Sequence, residues 1–341
     1  MTGVYYRPVA SIDPVRPAGA LSLAGGWAWW DRAERITRDG QSDLIAAADV
    51  PEEVRIRLSV PRAPIAGLSF DTPRLMGILN TTPDSFSDGG QHAGQTQAVA
   101  HAKAMAAAGA DILDIGGEST RPGADVVPDT EEITRTAPVI ENLRNGSVDT
   151  PISIDTRKAV VGTAGLAAGA NIINDVSALT YDTDLGAVAA RAGGLCLMHA
   201  QGDPKTMQAD PRYDDVLLDV YDYLEARVAA AEAAGVPRDR IIVDPGIGFG
   251  KTIQHNLTLV RGISLFHGLG CPILLGVSRK GFIGVIGGAQ DAATRAPGSI
   301  ALGLAALAQG VQILRVHDVV ETRQAVALWQ ATHMGWDGGW I

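Results

Sequence analysis

From residue 75 onward, short apolar runs alternate with longer stretches of helical period. The runs fall at 75–79, 111–115, 151–154, 171–174, 195–198, 241–243, 273–277 and 312–316. Runs of this length, bounded by Gly, Pro, Asn and Asp, read as buried strands. Between them, 96–108, 130–143, 158–168, 215–234 and 298–309 read as helices, 183–191 and 254–266 as weaker ones, and 319–331 closes the series. Gly109, Gly169, Gly235 and Gly310 follow four of these stretches, as left-handed C-caps do. Eight strand–helix units in about 260 residues have the count and length of a (β/α)8 TIM barrel. An open doubly wound sheet is the alternative, but it would carry a Gly-rich phosphate loop after its first strand, and Gly89-Gly90 does not fit that fingerprint.

Residues 1–70 differ from the barrel of 71–341. They hold Trp27, Trp29 and Trp30, and 11–23 is broken by Pro and Gly. The stretch 54–60 alternates apolar and charged residues, which predicts a half-exposed strand. No catalytic pattern is visible there, so the expectation is a structural extension packed on the barrel, over its N-terminal end and away from the chemistry.

The barrel reading places chemistry where strands end. The first apolar run is followed at 80–90 by Asn-Thr-Thr-Pro-Asp-Ser-Phe-Ser-Asp-Gly-Gly, a loop that could hold a metal, a phosphate or a polar small molecule. The other runs end in Gly116-Gly117-Glu118-Ser119-Thr120-Arg121-Pro122-Gly123, Asp155, Asn174-Asp175, Met198-His199, Asp244 followed by Pro-Gly-Ile-Gly-Phe-Gly-Lys, Ser278-Arg279-Lys280, and Arg315-Val316-His317-Asp318. Taken singly, an Asp or Asn after a strand is as often a helix cap, and Asp318 has that look. Together they place cations, carboxylates and amides on one rim. Lys280, Arg315 and His317 suit phosphate, helped by the amides of the helix that follows. Asp155, Asn174 and Asp244 suit the N–H donors of a polar heterocycle. No His/Cys cluster offers zinc. Asn80 with phosphate oxygens and water suits Mg²⁺.

The chain is 341 residues long, 46% hydrophobic and 19% charged, with a net charge of −10 and two cysteines. That composition gives a substantial core and argues against a nucleic-acid partner. No apolar run approaches the ~20 residues of a membrane span, and the N-terminus lacks a basic start followed by an apolar core. Cys196 and Cys271 lie in or beside apolar runs and read as buried free thiols. A cytoplasmic enzyme acting on small molecules is the expectation.

The blocks 76–90, 114–124, 153–157, 172–176, 197–208, 244–251, 276–284 and 315–319 together resemble the dihydropteroate synthase family, in the family's order. The resemblance implies a (β/α)8 barrel that joins 6-hydroxymethyl-7,8-dihydropterin pyrophosphate to p-aminobenzoate, in a homodimer that sulfonamides target. It implies that Asp155, Asn174, Asp244 and Lys280 hold the pterin and Met198 lines its pocket. Asn80, Thr120, Arg315 and His317 match pyrophosphate positions, with Asn80 also on Mg²⁺. Phe249 and Ser278 match the p-aminobenzoate end, and the loops around Phe86 and Pro122 match two mobile loops that close over it. Catalysis would fall to Asp155, Lys280, Arg315 and His317. Ile247 departs from the aromatic that many relatives carry. A pterin-binding methyltransferase would share the Asp and Asn readers but have little use for Thr120, Lys280 and the Arg315/His317 pair. A silent pterin-binding paralogue should have lost rim residues, and none is missing.

Overall fold

The structure, a computed structural model, describes residues 3–81, 90–119, 126–202 and 207–335, the backbone alone for 90–93. The chain opens with strands β1 (Val4–Pro8), β2 (Leu21–Ser22), β3 (Trp29–Trp30), β4 (Arg32–Thr37) and β5 (Ser42–Ala46). β1, β4 and β5 form an antiparallel sheet in that order, and β2 and β3 a two-stranded ribbon. The stretch 54–60 is not the expected strand. It belongs to helix α1 (Glu52–Ser59), in which only Leu58 is fully buried. Glu52 and Glu53 in the first turn and Arg57 in the last complement the helix dipole. The alternation of apolar and charged residues was that of a surface helix with little to bury.

Eight parallel strands follow: β6 (Arg74–Asn80), β7 (Ile112–Gly116), β8 (Ile152–Asp155), β9 (Ile172–Asp175), β10 (Gly194–Met198), β11 (Ile241–Asp244), β12 (Leu274–Leu275) and β13 (Ile313–Val316). They hydrogen-bond in the order β11-β10-β9-β8-β7-β6-β13-β12. A parallel bridge between Val243 and Ile273 joins the end strands, which closes the (β/α)8 TIM barrel. Around it run α2 (Gly90–Ala107), α3 (Asp129–Asn145), α4 (Ala159–Ala168), α5 (Leu185–Ala189), α6 (Val216–Ala233), α7 (Ile253–Arg261), α8 (Gly281–Gly287), α9 (Ala296–Leu307) and α10 (Val319–Met334). Gly109, Gly169, Gly235 and Gly310 all take positive φ, the left-handed geometry that a C-cap asks for. Asp318 is not the side-chain cap it resembled. It makes no cap bond to α10 and instead pairs with Arg279.

Strand periodicity explains where the polar residues go. Side chains two apart share a face. Met76, Ile112, Ile172, Cys196, Ile242, Leu274 and Ile313 form one buried cluster, sealed by Ile65 and Phe70 from the segment before β6. This is the lower interior of the barrel, and Ile65 is its plug. Two residues further along, the same strand faces carry Asp114, Asn174, Met198, Asp244 and Arg315. A greasy floor therefore sits directly beneath a polar layer at the C-terminal mouth.

The extension grips the outside. Trp27 donates from Nε1 to the Leu307 carbonyl at 2.8 Å and meets Trp329 edge to face. Ser264 donates to the Pro8 carbonyl at 2.9 Å. Arg38 pairs with Asp219 at 2.7 Å and with Asp222 at 2.5 Å, on the first turns of α6. The sheet thus lies along the barrel wall and is not confined to its lower end.

Candidate active site

Four strands bring their polar layer together at one point. Arg315 reaches from β13, beside β6, across the mouth to β7 and β8. Its Nε donates to Asp114 Oδ2 at 2.6 Å, and its Nη2 bridges Asp114 Oδ2 at 2.6 Å and Asp155 Oδ2 at 2.7 Å. Asn174 offers Nδ2 to both Asp114 oxygens at 3.3 Å. Asp114 is wholly buried, Asp155 and Asn174 nearly so, and the Arg315 side chain keeps 21% of its surface open.

Burial sets the electrostatics. It pushes the Asp155 carboxyl up to about 7, against the pull of Arg315 and with the push of Asp114. Burial also disfavours the Arg315 guanidinium, but Asp114 and Asp155 outweigh it and hold its pKa above the usual arginine value. Asp244, on the far wall, is pushed up to about 6 by burial, while the Gly246 amide, Lys280 and Arg315 pull it back.

A tight turn follows Asp244. Asp244 Oδ1 accepts from the Gly246 amide at 2.7 Å. Gly246 has φ +67°, and a Cβ there would come within 1.8 Å of the His199 carbonyl oxygen, so only glycine fits. Lys251 ties the turn from inside: its Nζ lies 2.8 Å from the Gly246 carbonyl, 3.0 Å from that of Phe249 and 2.8 Å from His199 Nδ1. Burial and the neighbouring Lys251 push His199 down to about 2, so the ring is neutral and Nδ1 accepts. The turn presents the Phe249 ring, with the Lys280 ammonium 4.1 Å from its centroid. This cation–π approach orients both groups.

Between β12 and β13 ends, His317 Nδ1 lies 3.0 Å from Ser278 Oγ, which also accepts from the His317 amide at 3.1 Å. The sequence grouped Arg315 with His317. The structure pairs Arg315 with two carboxylates and His317 with Ser278. Met198 is buried, close to the Gly246 position, and Asn80 stands half-buried at the end of β6. Ile247 is buried in the main core. Phe86, Thr120 and Pro122 lie outside the described residues.

A dense ionic cluster gathers around Glu118, just past the end of β7, and Lys158, ahead of α4. Glu118 accepts from Arg157 and Lys158, both at 2.7 Å, and from the Val127 amide at 3.0 Å. Lys158 also reaches Glu132 and the Val127 carbonyl, each at 2.6 Å. Burial pushes Glu118 up, but Lys158, the Val127 amide and Arg157 prevail and its pKa is lowered. At Glu132 burial prevails and the pKa is raised.

Sequence reasoning missed Asp114, Lys251 and His199 as members of the site. Asp114 was findable: it stands two residues past Ile112 on a strand whose inward face Ile112 identifies. Nothing in the sequence signals the meeting of Lys251 with His199, which depends on two loops coming together.

Residues 76–317 match the family model described as pterin binding enzyme. A dihydropteroate synthase of Neisseria meningitidis serogroup C is 50% identical over 268 residues, covering 77% of this chain and 94% of that protein. Among solved structures, the Xanthomonas albilineans dihydropteroate synthase with 4-aminobenzoic acid superposes with a TM-score of 0.74 at 46% identity, covering 80% of this chain and 98% of the other. The same organism's enzyme in complex with 7,8-dihydropteroate gives 0.72 at 43%, with the same coverage. The extension precedes the family match.

Proposed function

We infer the roles of these residues from one premise: the chain belongs to the dihydropteroate synthase family of pterin-binding enzymes. Its reaction joins 6-hydroxymethyl-7,8-dihydropterin pyrophosphate to p-aminobenzoate, giving 7,8-dihydropteroate and pyrophosphate for folate biosynthesis. The arylamine nitrogen forms the new C–N bond, the C–O bond to pyrophosphate breaks, and the amine proton leaves to solvent.

The observation that carries our reading is the polar floor of Asp114, Asp155, Asn174 and Arg315 facing Asp244 and Lys280 across one barrel mouth. With both carboxylates ionised, two negative charges share one guanidinium. This net negative floor favours positive charge developing on the electron-rich dihydropterin as the C–O bond opens. Asp155, Asn174, Asp244 and Lys280 hold the ring, and Met198 closes one side. Lys280 also faces Phe249, so the ring of Phe249 and Ser278 mark the p-aminobenzoate end. His317, fixed by Ser278, and the N-terminus of α10 receive the departing pyrophosphate, with the open edge of Arg315. Thr120 joins them, and the loops of Phe86 and Pro122 cover the amine. Water kept out cannot compete with the amine.

Magnesium fits only a sparse role. No group of three His, Cys, Asp or Glu among the described residues could hold a metal. Asn80 offers a single hard oxygen at the rim, which suits an ion that keeps its waters and takes the rest of its shell from phosphate. Bound there, Mg²⁺ would supply charge neutralisation to the leaving group. Sulfonamides, as p-aminobenzoate mimics, would compete at Phe249 and Ser278. The exposed Val285 and Ile286 on α8 and Val320 and Leu328 on α10 favour a homodimer. No helix among the described residues is long and apolar enough to cross a membrane, and we place the enzyme in the cytoplasm. The extension serves stability.

The test is pyrophosphate release from the pterin substrate, with and without p-aminobenzoate and Mg²⁺. Release should require p-aminobenzoate and fall on chelation. Release that ignores p-aminobenzoate would refute the transfer reading, and release indifferent to chelation would remove the metal.

A further inference from the structure

Arg315 has an unusual task. Its side chain starts on β13 and must cross the face of β6 to meet β7 and β8. A long side chain with several rotatable bonds does not hold such a position unaided, because ordering it costs conformational entropy. Asp114 supplies the hold. One oxygen takes both Nε at 2.6 Å and Nη2 at 2.6 Å, and the carboxylate also meets the Asn174 amide at 3.3 Å. The residue has no exposed surface, and below it lies only the apolar cluster around Ile112.

We propose that Asp114 is a positioning residue of this reaction: a buried carboxylate that does not meet substrate and that fixes Arg315 and Asn174, the two side chains that do. The proposal rests on the substrate-facing roles given above to Arg315 and Asn174. Asp114 fixes Arg315 through the stem side of its guanidinium, leaving the outer edge for Asp155 and the ligand. It orients the Asn174 amide by making Nδ2 face the floor, which turns Oδ1 elsewhere. Its charge also bears on Asp155. The groups facing Asp155 are Arg315 from β13, Asp114 from β7, Glu132 from α3 and Asp175 from β9; the last three repel its ionised form.

The test uses the full-length enzyme and the variants D114N, R315M and D114N/R315M. Asparagine keeps the shape and removes the charge. D114N should raise KM for the pterin pyrophosphate by about tenfold or more, as removal of one charge-assisted hydrogen bond would, with little change in KM for p-aminobenzoate. The acidic limb of its kcat/KM profile should move to lower pH, since Asp155 is freed of a like-charged neighbour and has Arg315 to itself. A residue that only supports folding would not move that limb. In the R315M background the further effect of D114N should largely vanish. R315M strands two buried carboxylates and the double variant one, so the double variant should melt higher than R315M. Should D114N not fold alone, that last pair decides. A folded D114N with unchanged pterin KM and pH limb would overturn the proposal. So would equal effects in both backgrounds, or a double variant melting below R315M. A fully active R315M would instead remove the role given to Arg315.

Discussion

Lys251 offers the sharpest test of how the turn after β11 is built. Replacing it with Met keeps length and flexibility and removes the donors. Two acceptors then lose their partner, the Phe249 carbonyl at 3.0 Å and the buried His199 Nδ1 at 2.8 Å, and the Gly246 carbonyl, 2.8 Å from Nζ, keeps only the Phe249 amide. Each unsatisfied buried group costs roughly 1–3 kcal/mol. Against this stands the relief of a desolvated ammonium, whose pKa burial pushes well below the usual lysine value. The acceptors at these short distances match the three donors of an ammonium. The charge is therefore well satisfied, and a net destabilisation of about 3 kcal/mol is expected. At roughly 2–4 °C per kcal/mol for chains of this order of size, the melting temperature should fall by about 6–12 °C. The kinetic effect should be lopsided. Phe249 rides on the loosened turn itself, whereas of the pterin-side groups Asp244 and Lys280 only border it and Asp155, Asn174 and Arg315 do not touch it. KM for p-aminobenzoate should therefore rise several-fold more than KM for the pterin substrate. Thermal denaturation and initial rates with each substrate varied at saturating partner measure both. A variant that melts like wild type, or one in which both Michaelis constants rise equally, would refute the reasoning.

Three further outcomes follow from the same structure. Burial raises the pKa of Asp244 to about 6 and of Asp155 to about 7, so kcat/KM for the pterin substrate should climb between those values as the carboxylates form; D155N should leave only the lower step. The sign for stability is opposite, because the folded chain binds more protons than the unfolded one between about pH 4 and 7, so the contribution of these two groups to stability falls as pH rises through that window; pH-dependent melting of wild type against D155N checks it. Lys158→Met leaves the buried Glu132 carboxylate, 2.6 Å away, without a cation while Glu118 keeps Arg157, and should cost about 3–5 kcal/mol, part of which E132Q should restore in the same denaturation assay. Deleting residues 1–50 uncovers the wall that Trp27 and Pro8 occupy, so melting temperature or solubility should drop while both Michaelis constants stay near wild type; a normally stable truncate with altered p-aminobenzoate affinity would place the extension at the active face.

How much was legible in the sequence depends on the range of the interaction. The eight strands were visible because each buried run is short and apolar and ends in polar or turn residues, and the strand period of two carries Asp114, Asn174, Asp244 and Arg315 to the mouth once Ile112, Ile172, Ile242 and Ile313 are known to form the floor. That rule predicts a layer, not its pairings. Arg315 and His317 share a strand end, yet their protein partners differ: a long flexible arm finds two buried carboxylates across the barrel, while a short ring finds Ser278 next door. The strand expected at 54–60 failed for the opposite reason. Alternation is a signal only where one face is buried, and α1 buries little beyond Leu58. Asp318 shows the same limit at a single residue, since its carboxylate could cap a helix by local geometry but meets the Arg279 guanidinium instead. Local propensity thus proposes partners for each polar side chain, and the closed barrel selects among them by bringing to one mouth charges that lie as far apart in sequence as Asp114 and Arg315. The carboxylate most deeply committed to that selection, Asp114, has no surface left for a ligand, which is why its chemistry must be exerted through the side chains it holds.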